Sequence, residues 1–342
     1  MTRREDALPG GKLPPDLLAA VLAPLAPRDG RVRVGPRVGE DAAVIDLGDR
    51  LLVVAADPVT FATDEIGRYV VAVNANDVAV RGATPRWLLA TVLLPRGTTS
   101  DDVRALMADL AAACRVLTVD LIGGHTEVTD AVTRPLVAGV MLGEVESDRL
   151  VTTGRARPGD ALVLGGALAI EGTAVLARQA TLTLRARGVP ADTLDRARAL
   201  LDTPGISIVA MARAVCDAVR PRALHDPTEG GLATALAELA AASGAGIHLD
   251  APVSLPVLPE TRAVCTALGL DPLGLLASGA LLAAVAPADV DATLAALQAY
   301  GAGGRVIERV TEASAGLTMA GPAGASALPT FARDELARWF EA

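Results

Sequence analysis

The stretch HDPTEGGLATALAELAAAS, residues 225–243, sets a polar, glycine-bearing lead-in before an apolar period. Leu232, Leu236, Leu239 and Ala240 recur at steps of three and four, which predicts a helix. Two readings of the lead-in stand side by side. In one, Asp226 or Thr228 caps the helix by accepting a first-turn N–H. In the other, Gly230 and Gly231 leave those N–H groups uncovered. An open helix start is a place for a phosphate or a carboxylate-held metal.

Carboxylates recur at the ends of other predicted elements. GEDAAVIDL (39–47) sets Glu40 and Asp41 before a strand, and AADPVTF sets Asp57 at the end of the next. Residues 42–47 and 51–59 read as a hairpin around a Gly48-Asp49 turn. Aspartate also favours turns for its own sake. As a set, however, these side chains suit Mg²⁺, a hard cation that takes oxygen ligands. A helix is predicted over 63–82, capped by Thr63 or Asp64. It is largely apolar, yet Asn74, Asp77 and Arg81 share one stripe, with Asn76 beside it. A buried carboxylate needs a partner. Arg81 at i+4 is one candidate. A metal is the other, and it is favoured because two carboxylate groups precede this helix.

LIGGHTEV (121–128) reads as a strand, two glycines and a polar trio. Gly123 and Gly124 let a phosphate or a base approach the backbone, with His125, Thr126 and Glu127 lining the approach. The sequence contains neither a Walker A pattern nor G-x-G-x-x-G, so any nucleotide is held by another device. The chain has one lysine, Lys12, among 31 basic residues. It is either a chance survivor or a place where a compact ammonium meets a phosphate.

A chain of 342 residues is more than one core usually serves. Two domains are expected, over 1–150 and 151–342. The net charge of −9 and the lack of a basic stripe argue against a nucleic-acid partner. No run of 18 uncharged apolar residues appears, so no membrane span is expected. The N-terminal MTRREDALPGG has no apolar secretion core, and Cys114, Cys216 and Cys265 are scattered. A reducing cytoplasm fits both observations. Helices are also predicted over 14–26, 100–117 (with a serine cap), 170–179, 190–220 and 288–301. Further strands are predicted over 86–95, 134–145, 161–165, 254–258, 279–286 and 305–310. The mixing lacks strict βαβ alternation, so the fold class is α+β.

GKLP (11–14), GEDAAV (39–44), Asp57, NDVAVRGATP (76–85), GGHTEV (123–128) and HDPTEGGLATALAELA (225–240) occur together and in order. In this the chain resembles the AIR synthase-like superfamily, which includes aminoimidazole ribonucleotide synthase, selenophosphate synthetase, thiamin-monophosphate kinase and the hydrogenase-maturation HypE proteins. The HypE branch is the nearest in motif. The resemblance spans nearly the whole chain. It implies an N-terminal sheet that forms a barrel in a homodimer, and a C-terminal α/β sandwich. It implies ATP near the dimer interface, with Mg²⁺ on its phosphates. By motif match Asp41, Asp57, Asp77 and Asp226 would be metal ligands. Lys12, Glu40, Asn76, Gly123, Gly124, His125, Thr126 and Glu127 would contact nucleotide or substrate. Arg134 and Arg155 near the domain junction would be anion contacts or structural. HypE proteins end in a Pro-Arg-Ile-Cys type tail, whose cysteine carries a carbamoyl group, whereas this sequence ends ELARWFEA. The expectation is therefore an ATP- and Mg²⁺-dependent enzyme that phosphorylates an oxygen of a small amide, carbonyl or phosphate substrate. It is not expected to make the cyanide ligand itself. A thiamin-monophosphate-type kinase and a non-catalytic nucleotide-binding scaffold with a maturation partner are the alternatives.

Overall fold

A computed structural model describes residues 8, 11–62, 64–250, 254–321 and 324–341. Helix α1 (Pro15–Leu22) leads into strands β1 (Val32–Val34), β2 (Ala43–Asp46) and β3 (Leu51–Val59). Helix α2 (Ile66–Ala79), β4 (Thr84–Leu94), α3 (Ser100–Leu117), β5 (Asp120–Val128) and β6 (Leu136–Val145) follow. The strands form one six-stranded sheet in the order β1-β2-β3-β6-β4-β5. The expected hairpin is present, with Ala43 opposite Val54 and Asp46 opposite Leu51. Only β4 and β5 run parallel. Strand β6 alternates buried and half-buried residues along its whole length. That is the pattern of a sheet with one covered face. Helix α2 packs on that covered face against β3, β6 and α3, and it buries nearly every residue it has.

The second half runs β7 (Ala161–Gly165), α4 (Ile170–Gln179), α5 (Thr181–Ala186), α6 (Ala191–Ala199), α7 (Val209–Ala218), β8 (Ala223–His225) and α8 (Gly231–Ser243). It continues with β9 (Gly246–Leu249), α9 (Pro259–Leu268), β10 (Leu281–Val285), α10 (Val290–Tyr300), β11 (Gly304–Thr311), β12 (Leu317–Gly321), β13 (Gly324–Ala327) and α11 (Glu335–Phe340). Its seven strands follow the order β13-β12-β9-β11-β7-β10-β8. Strand β10 is buried at every residue and β7 at all but its first, as befits a sheet covered on both faces. One continuous apolar core joins the two sheets. The fold is thus α+β, as expected, with helices on both faces of the sheet in its second half.

Several predicted boundaries give way to particular residues. Thr99, not Ser100, caps α3, in a reciprocal capping box with Asp102. Asp64 does not cap α2 but pairs with Arg178, and Thr63 lies outside the described residues. The helix predicted over 190–220 breaks between α6 and α7, where Thr203 is extended before Pro204. A residue preceding proline disfavours the helical region. Around 254–258 the described chain makes only a bridge from Val257 to Leu168. The face predicted for α1 buries no residue.

The start of α8 fits neither reading of the lead-in. No side chain of the lead-in caps it. The Gly230 N–H donates to Asp334 Oδ2 at 2.6 Å. The Gly231 and Ala233 N–H groups donate to the Thr228 and Leu273 carbonyls at 3.0 Å each. The helix start is therefore closed, by backbone and by an aspartate 104 residues away. Gly231 sits at φ +62°, and a Cβ there would lie 2.5 Å from the Leu273 carbonyl oxygen. Neither the backbone angle nor a backbone neighbour can yield cheaply. Gly231→Ala is expected to destabilise by about 2 kcal/mol or more in urea titration. A shift within about 0.5 kcal/mol would contradict this account of the glycine.

Candidate functional site

Four elements bring carboxylates together: Asp41 precedes β2, Asp57 lies in β3, Asp77 in α2, and Asp226 follows β8. Asp226 is almost fully buried, and neither of its oxygens has a hydrogen-bond partner among the described residues. Burial first, then the charges of Asp41 and Asp57, pushes its carboxyl up to about 7. Burial and the neighbouring Asp226 and Asp57 charges raise Asp77 well above the usual carboxylate range. Asp57 rises for the same first reason, opposed by its contact with Asp77. Asp77 and Asp226 are buried and Asp57 is half-buried; Lys12 and, at Asp226, His225 oppose the rise without cancelling it. Arg81 is not among these cations, and the Asp77–Arg81 pair is not formed.

Arg81 is fully buried and turned to the hairpin instead. Its guanidinium donates to Glu40 Oε2 at 2.5 Å, Asp41 Oδ2 at 2.6 Å and Thr153 Oγ1 at 2.9 Å. Glu40 also accepts from Arg37 at 2.8 Å and from the Thr153 N–H at 3.4 Å. Both Glu40 oxygens are thus engaged within the chain, so a cofactor contact by Glu40 would have to compete with these bonds. The Asn76 amide is engaged in the same way. Its amide donates to the Ile206 carbonyl at 2.9 Å and accepts the Ile208 N–H at 2.8 Å. One residue of helix rotates a side chain by about 100°, so Asn76 points away from Asp77 and staples α2 to the turn before α7.

His225 was not singled out by sequence reasoning. Its Nδ1 lies 3.0 Å from Asp41 Oδ2 and its Nε2 lies 3.0 Å from Glu238 Oε2. The potential ligand atoms of Asp41, His225 and Asp226 lie within 4.8 Å of one another. His225 is nonetheless a poor ligand, because each ring nitrogen faces a carboxylate acceptor and so carries a proton. Burial would lower this imidazole, but Asp41 and Glu238 outweigh it and raise it to about 10. His225 acts as a charged strut between β8, the hairpin and α8. It and Arg81 hold Asp41 down to about 2 against the effect of burial. Asp41 and Asp226 supply the carboxylate oxygens of the Asp41–His225–Asp226 group, oxygen ligands of the kind a hard divalent cation takes, and Asp57 and Asp77 lie near enough for their charges to be felt there.

Lys12 stands at the mouth of this region. Its Nζ reaches Glu238 Oε1 and Thr228 Oγ1, both at 3.3 Å. Its backbone N–H donates to Glu229 Oε2 at 3.0 Å. A cleft of about 560 Å³ opens beside it, and Asp57, Arg134, Glu171, Thr228 and Ser278 are among its walls. Arg155 is elsewhere, donating to the Leu150 carbonyl at 3.2 Å.

Gly123, Gly124, His125, Thr126 and Glu127 are not brought to the carboxylates within one chain. They form part of β5, the edge of the first sheet. The shallow depression lined by Gly123 to Thr126 shares no residue with the Lys12 cleft. The glycines also have a purely backbone reason. A Cβ on Gly124, at φ +142°, would lie 1.9 Å from the Ala90 carbonyl oxygen of the paired strand. His125 Nε2 meets Glu127 Oε2 at 3.1 Å on the exposed strand face.

The fold and the carboxylate arrangement define a class. The chain belongs to the AIR synthase related proteins: residues 39–145 match the family's N-terminal domain and residues 157–318 its C-terminal domain. It is similar to carbamoyl dehydratase HypE of Cupriavidus necator, at 36% identity over 81% of this chain and 77% of that one. It is similar to carbamoyl dehydratase HypE of Rhodobacter capsulatus at 33% identity, covering 90% and 88% of the two chains. A solved structure of the hydrogenase maturation protein HypE in complex with ATP superposes with a TM-score of 0.71 at 28% identity, covering 85% of this chain and 88% of that one. No single helix among the described residues is long and apolar enough to cross a membrane.

Proposed function

We propose that this chain binds ATP with Mg²⁺ and transfers the γ-phosphoryl group to an oxygen of a small amide, carbonyl or phosphate substrate. The observation that carries this reading is Asp226, a buried carboxylate with neither oxygen partnered among the described residues, whose pKa is raised by burial and by the Asp41 and Asp57 charges. Asp41, Asp57, Asp77 and Asp226 would hold the ion, and Lys12 would meet a phosphate at the cleft mouth. When bound, Mg²⁺ neutralises charge on the phosphates and on the developing transition state. His225 and Arg81 keep Asp41 ionised and fixed without spending the other three acids. A similar protein solved in complex with ATP, and two similar proteins named carbamoyl dehydratases, support the same class of chemistry. Cys114, Cys216 and Cys265 do not line the cleft. Burial pushes the Cys216 and Cys265 thiols up to about 11 and about 12. The acceptor in this reading is therefore a molecule that enters the cleft, not one of these thiols.

Two further parts belong to the proposal. The division into residues 1–150 and 151–342 follows the two sheets, which share no strand. A homodimer through the first sheet would bring Gly123 to Glu127 of one copy toward the cleft of another. Edge strand β5, with Ile122 and Val128 exposed, supports that arrangement.

Calorimetry with ATP, with and without Mg²⁺, tests the central reading. Binding is expected only with Mg²⁺, and Asp77→Asn is expected to weaken it by about tenfold or more. Equal ATP binding in the two proteins would remove Asp77 from the site. No binding to the folded wild type would overturn the reading and leave a scaffold role to be tested with partners.

A further inference from the structure

A cluster of arginines lies apart from the carboxylates, on the segment that joins the two halves. Strand β6 is followed by two single turns of 3₁₀ helix, Ser147–Arg149 and Thr153–Arg155. Arg149, Arg155 and Arg157 come from this joining segment, and Arg220 and Arg222 from the link between α7 and β8. All five line one cavity of about 260 Å³, which shares no residue with the Lys12 cleft. In a chain of net charge −9 this is a local reversal of sign. The nearby carboxylates do not match it. Arg149 pairs with Asp217 at 2.7 Å and Arg220 with Asp148 at 3.4 Å. Asp217 is shared with Arg213, and Glu146 faces Arg50. Arg222 Nε is buried 3.9 Å from Asp160 and has no hydrogen-bond partner among the described residues. Arg155 donates to the Leu150 carbonyl, and neither it nor Arg157 has an ion pair among the described residues. Cys216 also lines the cavity, but burial pushes its thiol up to about 11, so it adds no negative charge. A concave site lined by one sign of charge focuses its field on an ion of the other sign.

We propose that this cavity binds a compact phosphate-bearing anion of about the size of pyrophosphate, held by Arg155, Arg157 and Arg222 and flanked by Arg149 and Arg220. The inference is independent of the phosphoryl-transfer reading. Each guanidinium offers paired N–H donors in one plane, a fork that takes two oxygens of a phosphate at once. A phosphate group carries its oxygens around a tetrahedral centre, so forks arriving from two segments can share it. A planar carboxylate offers two oxygens and serves fewer of them. The cavity is too small for a folded domain or a duplex. Its occupant would also fix the joining segment. The Val151 N–H donates to the Arg81 carbonyl at 3.1 Å, and Thr153 Oγ1 accepts from the Arg81 guanidinium at 2.9 Å. An anion bound between this segment and the α7–β8 link would therefore hold the stretch that anchors Arg81.

The test is calorimetry on the full chain with chelator present and no Mg²⁺, using pyrophosphate as the probe and citrate as a carboxylate control. Pyrophosphate is expected to bind, and citrate to bind at least about tenfold more weakly. Arg157→Gln and Arg222→Gln are each expected to weaken pyrophosphate by about tenfold or more, the effect of losing a charge-assisted hydrogen bond. Arg157 has no ion pair and Arg222 Nε no hydrogen bond among the described residues, so both variants are expected to fold. Lys12→Met is expected to leave pyrophosphate affinity unchanged. A ligand of the folded state raises the midpoint of thermal unfolding. Pyrophosphate should do so in the wild type and not in the Arg157→Gln, Arg222→Gln double variant. Affinity unchanged in both arginine variants would overturn the site. Affinity lost in Lys12→Met but kept in them would place the anion in the Lys12 cleft and overturn it as well. No binding up to about 1 mM pyrophosphate at physiological salt, or equal binding of citrate, would have the same force.

Discussion

Asp226→Asn is expected to remove Mg²⁺-dependent ATP affinity by at least about 100-fold while making the metal-free protein harder to unfold. The two halves of this result have one cause. Asp226 is buried, bonded to nothing among the described residues, and raised to about 7 by burial and by the Asp41 and Asp57 charges. An ionised group so placed is a cost to the fold unless a cation joins it. Neutralising it relieves that cost, by about 1 kcal/mol or more in urea titration with chelator present. The same change deletes a charged oxygen ligand, and a 100-fold loss in affinity corresponds to roughly 2.8 kcal/mol. A merely structural aspartate would behave in the opposite way, losing stability and leaving ATP binding intact. Calorimetry and chelated denaturation on the same preparation separate the two.

Much of this site is legible in the sequence because its parts sit at the ends of strongly patterned elements. The hairpin of β2 and β3 is marked by two apolar runs around Gly48-Asp49, and it carries Asp41 and Asp57 with it. The span of α4 follows from its apolar period, as does the body of α2 with Asp77. What was not legible depends on long-range approach. His225 ends a three-residue strand, too short to show a period, and its partners are 184 residues before it and 13 after it. Asp334 closes α8 from the far end of the chain. Glu171 lies inside a helix that reads as ordinary surface-and-core pattern, and only the fold places it in a cleft wall. Glu40 and Asn76 have site-like neighbours in sequence, yet Arg81, Arg37, Ile206 and Ile208 claim them. Residue type and spacing show that a polar group needs a partner. They do not show which partner arrives first.

The second large effect concerns Arg81. Arg81→Met is expected to destabilise the protein by about 3–5 kcal/mol, the range for removing one side of a buried ion pair. Arg81 is fully buried and joins three elements: Glu40 and Asp41 ahead of β2, its own turn after α2, and Thr153 at the start of the second half. Methionine fills the stem volume, so the loss is electrostatic rather than a cavity. Glu40, itself 1% exposed, would keep only the Arg37 contact and the Thr153 N–H. Arg81→Lys should recover less than half of the loss, because a single ammonium cannot reproduce the planar fork that spans Glu40, Asp41 and Thr153. A second substitution isolates the pair. If Glu40→Gln and Arg81→Met are combined, the double variant should be more stable than the sum of the single losses by about 1–3 kcal/mol. Simple additivity would mean that Arg81 works mainly through packing. The functional consequence follows from Asp41. Without Arg81, that carboxylate keeps His225 as its hydrogen-bond partner and the Lys12 charge, and the charge beside Asp226 is held less firmly. Mg²⁺-dependent ATP binding is then expected to weaken in Arg81→Met even where the variant is folded, and to be partly restored in Arg81→Lys. A folded Arg81→Met protein with unchanged ATP affinity would show that the ion-pair cluster supports the fold alone.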